Sequence, residues 1–165
     1  VHFLQQLNNP TEQSLRDAFI KCAANETFFL WDRYKKDKNG GDAHETLNNG
    51  IIPEEFMRQM FYTFGDYRDI FLGKDIGNYV NSINEKINAV FQKIGPKTPD
   101  KQNGISPKWW WDEYAPAIWQ GMLCGLSYAS NNKDTVKNTL THNYRYKTAT
   151  FSDDASAPTL SKFAE

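Results

Sequence analysis

The chain has 165 residues, a net charge of −1, and 39% hydrophobic residues. That is enough for one domain with a sizeable core, and too little charge to steer the whole molecule to nucleic acid or an anionic membrane. No apolar run approaches the ~20 residues of a spanning helix. Val1-His2-Phe3-Leu4-Gln5-Gln6 lacks the regions of a signal peptide, so any membrane anchor or export signal is expected outside this piece, and no membrane insertion by it.

Aromatic residues make up 15% of the chain, with five Trp, eight Tyr and eleven Phe. Such a load favours large helix contacts or a surface that binds through flat anchors.

Four helices are predicted. Asn9-Pro10-Thr11-Glu12 announces the first, with Asn9 as cap, Pro10 at the first helical position and Glu12 in a capping box. Leu15, Phe19, Cys22, Ala23, Phe29 and Leu30 then follow one helical face, with Phe28 and Trp31 on another side, so this helix is expected to be central. It ends in the polar run from Lys35 to Gly41. The second begins at Pro53, buries Met57, Met60, Phe61 and Phe64, and is expected to break at Gly65 before a fresh turn runs to Gly73. The third has the cleanest stripe, Val80, Ile83, Ile87, Val90, Phe91 and Ile94, closed by Gly95-Pro96.

The fourth starts at Ser106-Pro107 and carries Trp109, Trp110 and Trp111. It is expected to be interrupted at Pro116 and to resume with Ile118, Trp119, Met122, Leu123 and Leu126. Gly121 and Gly125, four apart, predict close approach of a neighbouring backbone. Long polar loops are expected at residues 37–49, 96–104 and most of 130–158, with only a weak strand pattern at residues 144–151. The fold class is therefore all-α, an irregular helix bundle with long polar loops.

Chemistry is harder to place. His2, His44 and His142 are scattered without ligand or triad spacing. The run from Asp37 to Asp42 resembles the start of a calcium loop, but Gly41, Asp42 and Asn48 stand at positions that need a ligand, a glycine and a bidentate acid. No phosphate-binding glycine loop is present. The carboxylate pairs Asp66 with Asp69 and Asp112 with Glu113 read as helix-start acids. No enzyme reading survives and no cofactor is expected.

The two cysteines, Cys22 and Cys124, lack zinc spacing. They are either buried free thiols or one disulfide, which would close a loop worth ~4–5 kcal/mol in an oxidising compartment. Asn25-Glu26-Thr27 is a formal glycosylation sequon on an apolar helix, incidental unless Asn25 is exposed. Glu26 is either a buried, hydrogen-bonded acid or the mark of a groove. Three consecutive tryptophans point about a hundred degrees apart, so at most two share a core. Trp111 is the candidate platform for a sugar or a partner side chain. The basic tip, Arg33, Lys35, Lys36 and Lys38, is either a solvated helix end or a contact for an acidic ligand.

Several blocks are more specific than their physics. Residues 18–24 (Ala18-Phe19-Ile20-Lys21-Cys22-Ala23-Ala24) lead into Glu26-Thr27-Phe28-Phe29-Leu30-Trp31. Ile52-Pro53-Glu54-Glu55-Phe56 is followed by Phe61-Tyr62-Thr63-Phe64-Gly65-Asp66-Tyr67-Arg68-Asp69-Ile70, then Gly73-Lys74-Asp75-Ile76. Trp109-Trp110 precedes Ile118-Trp119-Gln120-Gly121-Met122-Leu123-Cys124-Gly125-Leu126, and the chain closes on Pro158-Thr159-Leu160-Ser161-Lys162-Phe163.

In this order and spacing the chain resembles the Duffy-binding-like domains of the malaria-parasite erythrocyte membrane protein 1 adhesins, with wording nearer the beta or delta classes than the alpha class. The resemblance implies that residues 1–165 are a fragment of one such domain, its second, helix-bundle subdomain. It implies an extracellular place on the infected erythrocyte, in a membrane-anchored variant antigen. Implied partners are a host cell-surface receptor protein, with an immunoglobulin-like adhesion molecule among the candidates, or a glycan, together with antibodies. Phe71 stands where many relatives have a cysteine, and Cys22 where many have a small residue. Combined with the secreted setting, this implies that Cys22 and Cys124 cross-link the first and fourth helices.

Overall fold

The computed structural model describes residues 4, 6–8, 11–37, 42–73, 83, 85–90, 107–150 and 157–163. It is a helical bundle, and the described residues contain no strand. The helices are α1 Glu12–Asp37, α2 Ala43–Asn48, α3 Glu54–Phe71, α4 Pro107–Ser127, α5 Lys133–Asn143 and α6 Leu160–Phe163. Residues 85–90 are also helical, and Ile83, Ile87 and Val90 of the predicted third stripe are buried. Val80, Phe91, Ile94 and the Gly95-Pro96 stop lie outside the described residues, as do Asn9, Pro10, His2, Lys38 and the stretch 96–104.

Helix α1 is capped from Thr11. Thr11 Oγ1 accepts the Ser14 backbone N–H at 3.1 Å, and Ser14 Oγ accepts the Thr11 N–H at 2.8 Å. This is a reciprocal capping box with serine in the place usually held by glutamate. Its inner face is Leu15, Phe19, Cys22, Ala23, Thr27, Trp31 and Tyr34. Phe29, expected inside, is 64% exposed. Thr27 takes the inner position one turn after Ala23, and its hydroxyl is satisfied at no cost to packing by donating to the Ala23 carbonyl at 2.8 Å.

Helix α3 runs through Gly65 without a break. A glycine there forgoes about 1 kcal/mol of helix propensity. Packing against α6 does not require it, since a Cβ at Gly65 would make an ordinary van der Waals contact 3.5 Å from the Phe163 ring. The helix ends at Phe71, and Gly73, two residues on, has a φ of 72°, the left-handed turn glycine takes without strain. Pro116 likewise fails to interrupt α4. The carbonyl its missing N–H would have engaged belongs to Asp112, an exposed residue where solvent replaces the lost bond.

The centre of the fold is the α1–α4 pair, which runs parallel. Tyr114 OH donates to Glu12 at 2.8 Å near one end; farther along, Ile20 faces Gly121 and Ala24 faces Gly125. Both glycines are buried against backbone or side chain of α1, as their spacing predicted. Aromatic rings fill the space between this pair and α3. Phe71 stacks on Trp110 at 4.3 Å, Phe64 meets Trp111 at 5.2 Å, and Phe61 meets Trp119 edge-on at 5.9 Å.

The polar segment 130–158 is not a continuous loop. It holds α5, whose Val136 and Leu140 are buried. The weak strand pattern that follows is a turn, pinned by Tyr144: its carbonyl accepts the Trp119 indole N–H at 2.8 Å and its hydroxyl accepts the Ile52 N–H at 2.9 Å.

Candidate recognition surfaces

Among the described residues no group of His, Cys, Asp and Glu is placed to hold a metal ion. No described helix is long and apolar enough to cross a membrane. His44 is half-buried on α2, while His142 accepts a hydrogen bond from Arg145 at 3.2 Å.

The predicted disulfide is not formed. Both cysteines are free, and the register explains why. Cys22 is buried on the α1 face that looks towards Tyr67 of α3. Cys124 sits on the other flank, beside Ala24, Asn25 and Phe28. The α1–α4 contact runs between them, so the two thiols look in different directions. We expect native alkylation without reductant to add one label, at half-buried Cys124, and a second only after unfolding. Intact mass would check this, and a mass two daltons low with no label would restore the bridge.

The basic tip is divided. Arg33 and Lys36 are exposed, but Lys36 is engaged by Asp32 at 2.9 Å, and the ammonium lowers that carboxyl's pKa. Lys35 is half-buried and, two residues from Arg33 on a helix, projects nearly opposite to it. Arg33, Lys35 and Lys36 therefore do not converge on one patch.

Trp111 is a correction. It is only 2% exposed, wedged between Phe64 and Phe71, and cannot offer its face to a ligand. Trp110 is also buried, and Trp109 is the outward member at 43% exposure. Two of the three tryptophans share the core, which is the limit helix geometry sets.

Glu26 proves exposed, and it accepts the Tyr67 hydroxyl at 2.5 Å. Burial first, and the Glu26 carboxylate second, push the Tyr67 phenol well above its ordinary 10.0. A raised folded-state pKa means that the unfolded chain releases this proton first, so the stability it supplies is complete below pH 10 and declines as pH climbs beyond it. Tyr67→Phe is expected to cost about 1–2 kcal/mol at neutral pH and to flatten the alkaline limb of the stability curve. Urea titrations between pH 8 and about pH 11 would check both.

Two surfaces were invisible in the sequence. One is an aromatic ledge, where exposed Phe29 packs edge-on against Phe28 at 5.6 Å and exposed Tyr128 lies beneath the Lys133 ammonium at 4.6 Å. Asn25 stands exposed on its rim. The other is a groove of about 450 Å³ between α4 and the turn after α5. Half-buried Pro116, Tyr144 and Tyr146 give it accessible apolar surface, while Trp119 and Leu123 of its lining are buried. Neither surface brings a nucleophile and a base together. Both have the aromatic and apolar character of protein-recognition surfaces.

A scan against protein-family models agrees with that class. The model described as the Duffy binding domain matches residues 1–161. The chain belongs to the Duffy binding domain family. No curated protein and no solved structure matches it.

Proposed function

We propose that this chain is an adhesion module that binds a host cell-surface receptor protein, and not an enzyme. The observation that carries the reading is the family match, which spans nearly the whole chain. On this reading residues 1–165 are the helical piece of a Duffy-binding-like domain of the erythrocyte membrane protein 1 kind, nearest the beta or delta classes. It stands outside the infected erythrocyte as part of a membrane-anchored variant antigen, and antibodies are its other partners. Binding comes from a shape-matched helical face with exposed aromatic anchors, of which Phe29, Tyr128 and Trp109 are available.

The competing reading is a sulfated-glycan module using Arg33, Lys35, Lys36 and Lys38, with affinity that falls steeply with salt. The pairing of Lys36 with Asp32 weighs against it.

The test is adhesion of fluorescently labelled chain to host endothelial cells. Loss of binding after trypsin, with resistance to heparinase, would support a protein receptor. The reverse pattern, with loss on Lys35→Glu/Lys36→Glu, would establish the glycan reading instead. We expect that double variant to retain at least about half of the wild-type adhesion, as for a rim charge outside the contact.

A further inference from the structure

We propose that the groove between α4 and the α5 exit seats an apolar side chain carried on an acidic segment of a partner protein. The inference rests on the adhesion reading above and names the chemistry of the contact. Three observations carry it.

The first is charge. The chain as a whole is near neutral, yet residues 133–147 carry four cations, Lys133, Lys137, Arg145 and Lys147, against the single carboxylate of Asp134. All four cations are exposed. Lys133, Lys137 and Thr141 follow at four-residue spacing, so the cations run down one face of α5 to the groove mouth. Arg145 and Lys147 then line the groove itself, and among the described residues no acidic one does. A segment bearing carboxylates on either side of its anchor meets this arrangement.

The second is shape. A space of about 450 Å³ has the size of a small-ligand pocket and admits one large side chain with part of its backbone. Its accessible apolar surface is that of half-buried Pro116, Tyr144 and Tyr146, Trp119 and Leu123 being buried, so an aromatic or branched aliphatic side chain gains most by entering.

The third is hydrogen bonding, which separates a peptide from a sugar. The groove's polar groups are mostly engaged within the fold. The Trp119 indole N–H goes to the Tyr144 carbonyl, the Tyr144 hydroxyl takes the Ile52 N–H, and the Thr141 hydroxyl donates to the Lys137 carbonyl at 2.8 Å. A saccharide buried there would leave its hydroxyls short of partners, at a cost that an apolar side chain does not incur.

The probe is a short fluorescein-labelled peptide with glutamates flanking one phenylalanine, measured by anisotropy beside its Phe→Ser counterpart and fluorescent heparin. We expect the phenylalanine peptide to bind at least about tenfold more tightly than the serine peptide, because only it covers the groove's apolar lining. Gln120→Trp, at an exposed groove position, and Lys147→Glu should each weaken it about tenfold. Both variants should keep the wild-type melting temperature, since they change exposed residues. Equal binding of the two peptides, indifference to either variant, no peptide binding, or binding of heparin alone would each overturn the groove assignment.

The endothelial adhesion assay separates this inference from the reading beneath it. Wild-type adhesion that persists in Gln120→Trp and Lys147→Glu would overturn the groove and leave the adhesion module standing. Groove-dependent peptide binding without any cell adhesion would do the opposite.

Discussion

Replacing Trp110 with alanine should cost about 3–5 kcal/mol, the range for removing a large aromatic from a packed core. The ring is fully buried, stacked on Phe71 at 4.3 Å with 14° between planes, and touched by Phe19 and Tyr114. Truncation would therefore empty the junction of three helices at once. Typical domains hold only about 5–15 kcal/mol in all, so the variant should lose a large part of its native population at physiological temperature. Trp111→Ala belongs to the same class, while Trp109→Ala should cost clearly less because that residue is 43% exposed.

Phenylalanine replacements refine the argument. The indole N–H groups of Trp110 and Trp111 are buried without a hydrogen-bond partner. Trp→Phe removes an unsatisfied donor along with some volume, so it should cost clearly less than the alanine change. Urea midpoints for the five proteins would show the order. A Trp109→Ala cost equal to that of Trp110→Ala would contradict the core placement.

The four-helix outline was legible because its signals are local. Pro53 and Pro107 mark helix starts, and stripes such as Met57, Met60, Phe61 and Phe64 mark buried faces. Helix α5 was not legible, since Val136 and Leu140 are its only buried residues and two apolar side chains in eleven make no stripe. The turn around Tyr144 depends on Ile52, ninety-two positions away, and no pattern within residues 144–151 contains that partner. Phe29 and Thr27 were exchanged for a related reason. Hydrophobicity favours the ring inside, yet α1 is committed by the angular positions of Phe19, Ala23 and Trp31, which leave Phe29 outward.

The candidate site was the least legible part. Among basic residues close in sequence, Lys35 projects away from Arg33 and Lys36, whereas the groove gathers residues from positions 116 to 148 that share no motif. The cysteine pairing failed because it asked only which helices meet. The side of each helix that carries the thiol decides it.

The close approach of α1 to α4 at Gly125 gives the second large effect. Gly125→Ala is expected to cost about 2–3 kcal/mol, and Gly125→Val more, at the upper end of overpacking penalties. A Cβ at Gly125 would overlap the Ala24 carbonyl oxygen and come within 2.9 Å of the Ala24 Cα. The obstruction is backbone, and it sits mid-way along α1, where hydrogen bonds on both sides prevent it from yielding alone. The helix must move instead, and with it the Trp110 and Trp111 contacts that depend on α4's seat.

Gly121 provides the contrast. Its nearest obstacle is the Ile20 Cγ2 methyl at 2.7 Å, with the Ile20 carbonyl oxygen at 3.3 Å, so backbone is met less closely than at Gly125. Alanine also recovers about 1 kcal/mol of helix propensity at either glycine. Gly121→Ala should then cost less than Gly125→Ala, which should lower the melting temperature by about 5–10 °C in a chain of this size. If both glycines tolerated alanine equally, the α1–α4 seam would have to be looser at Ala24 than described, and the parallel register that separates Cys22 from Cys124 would fall with it.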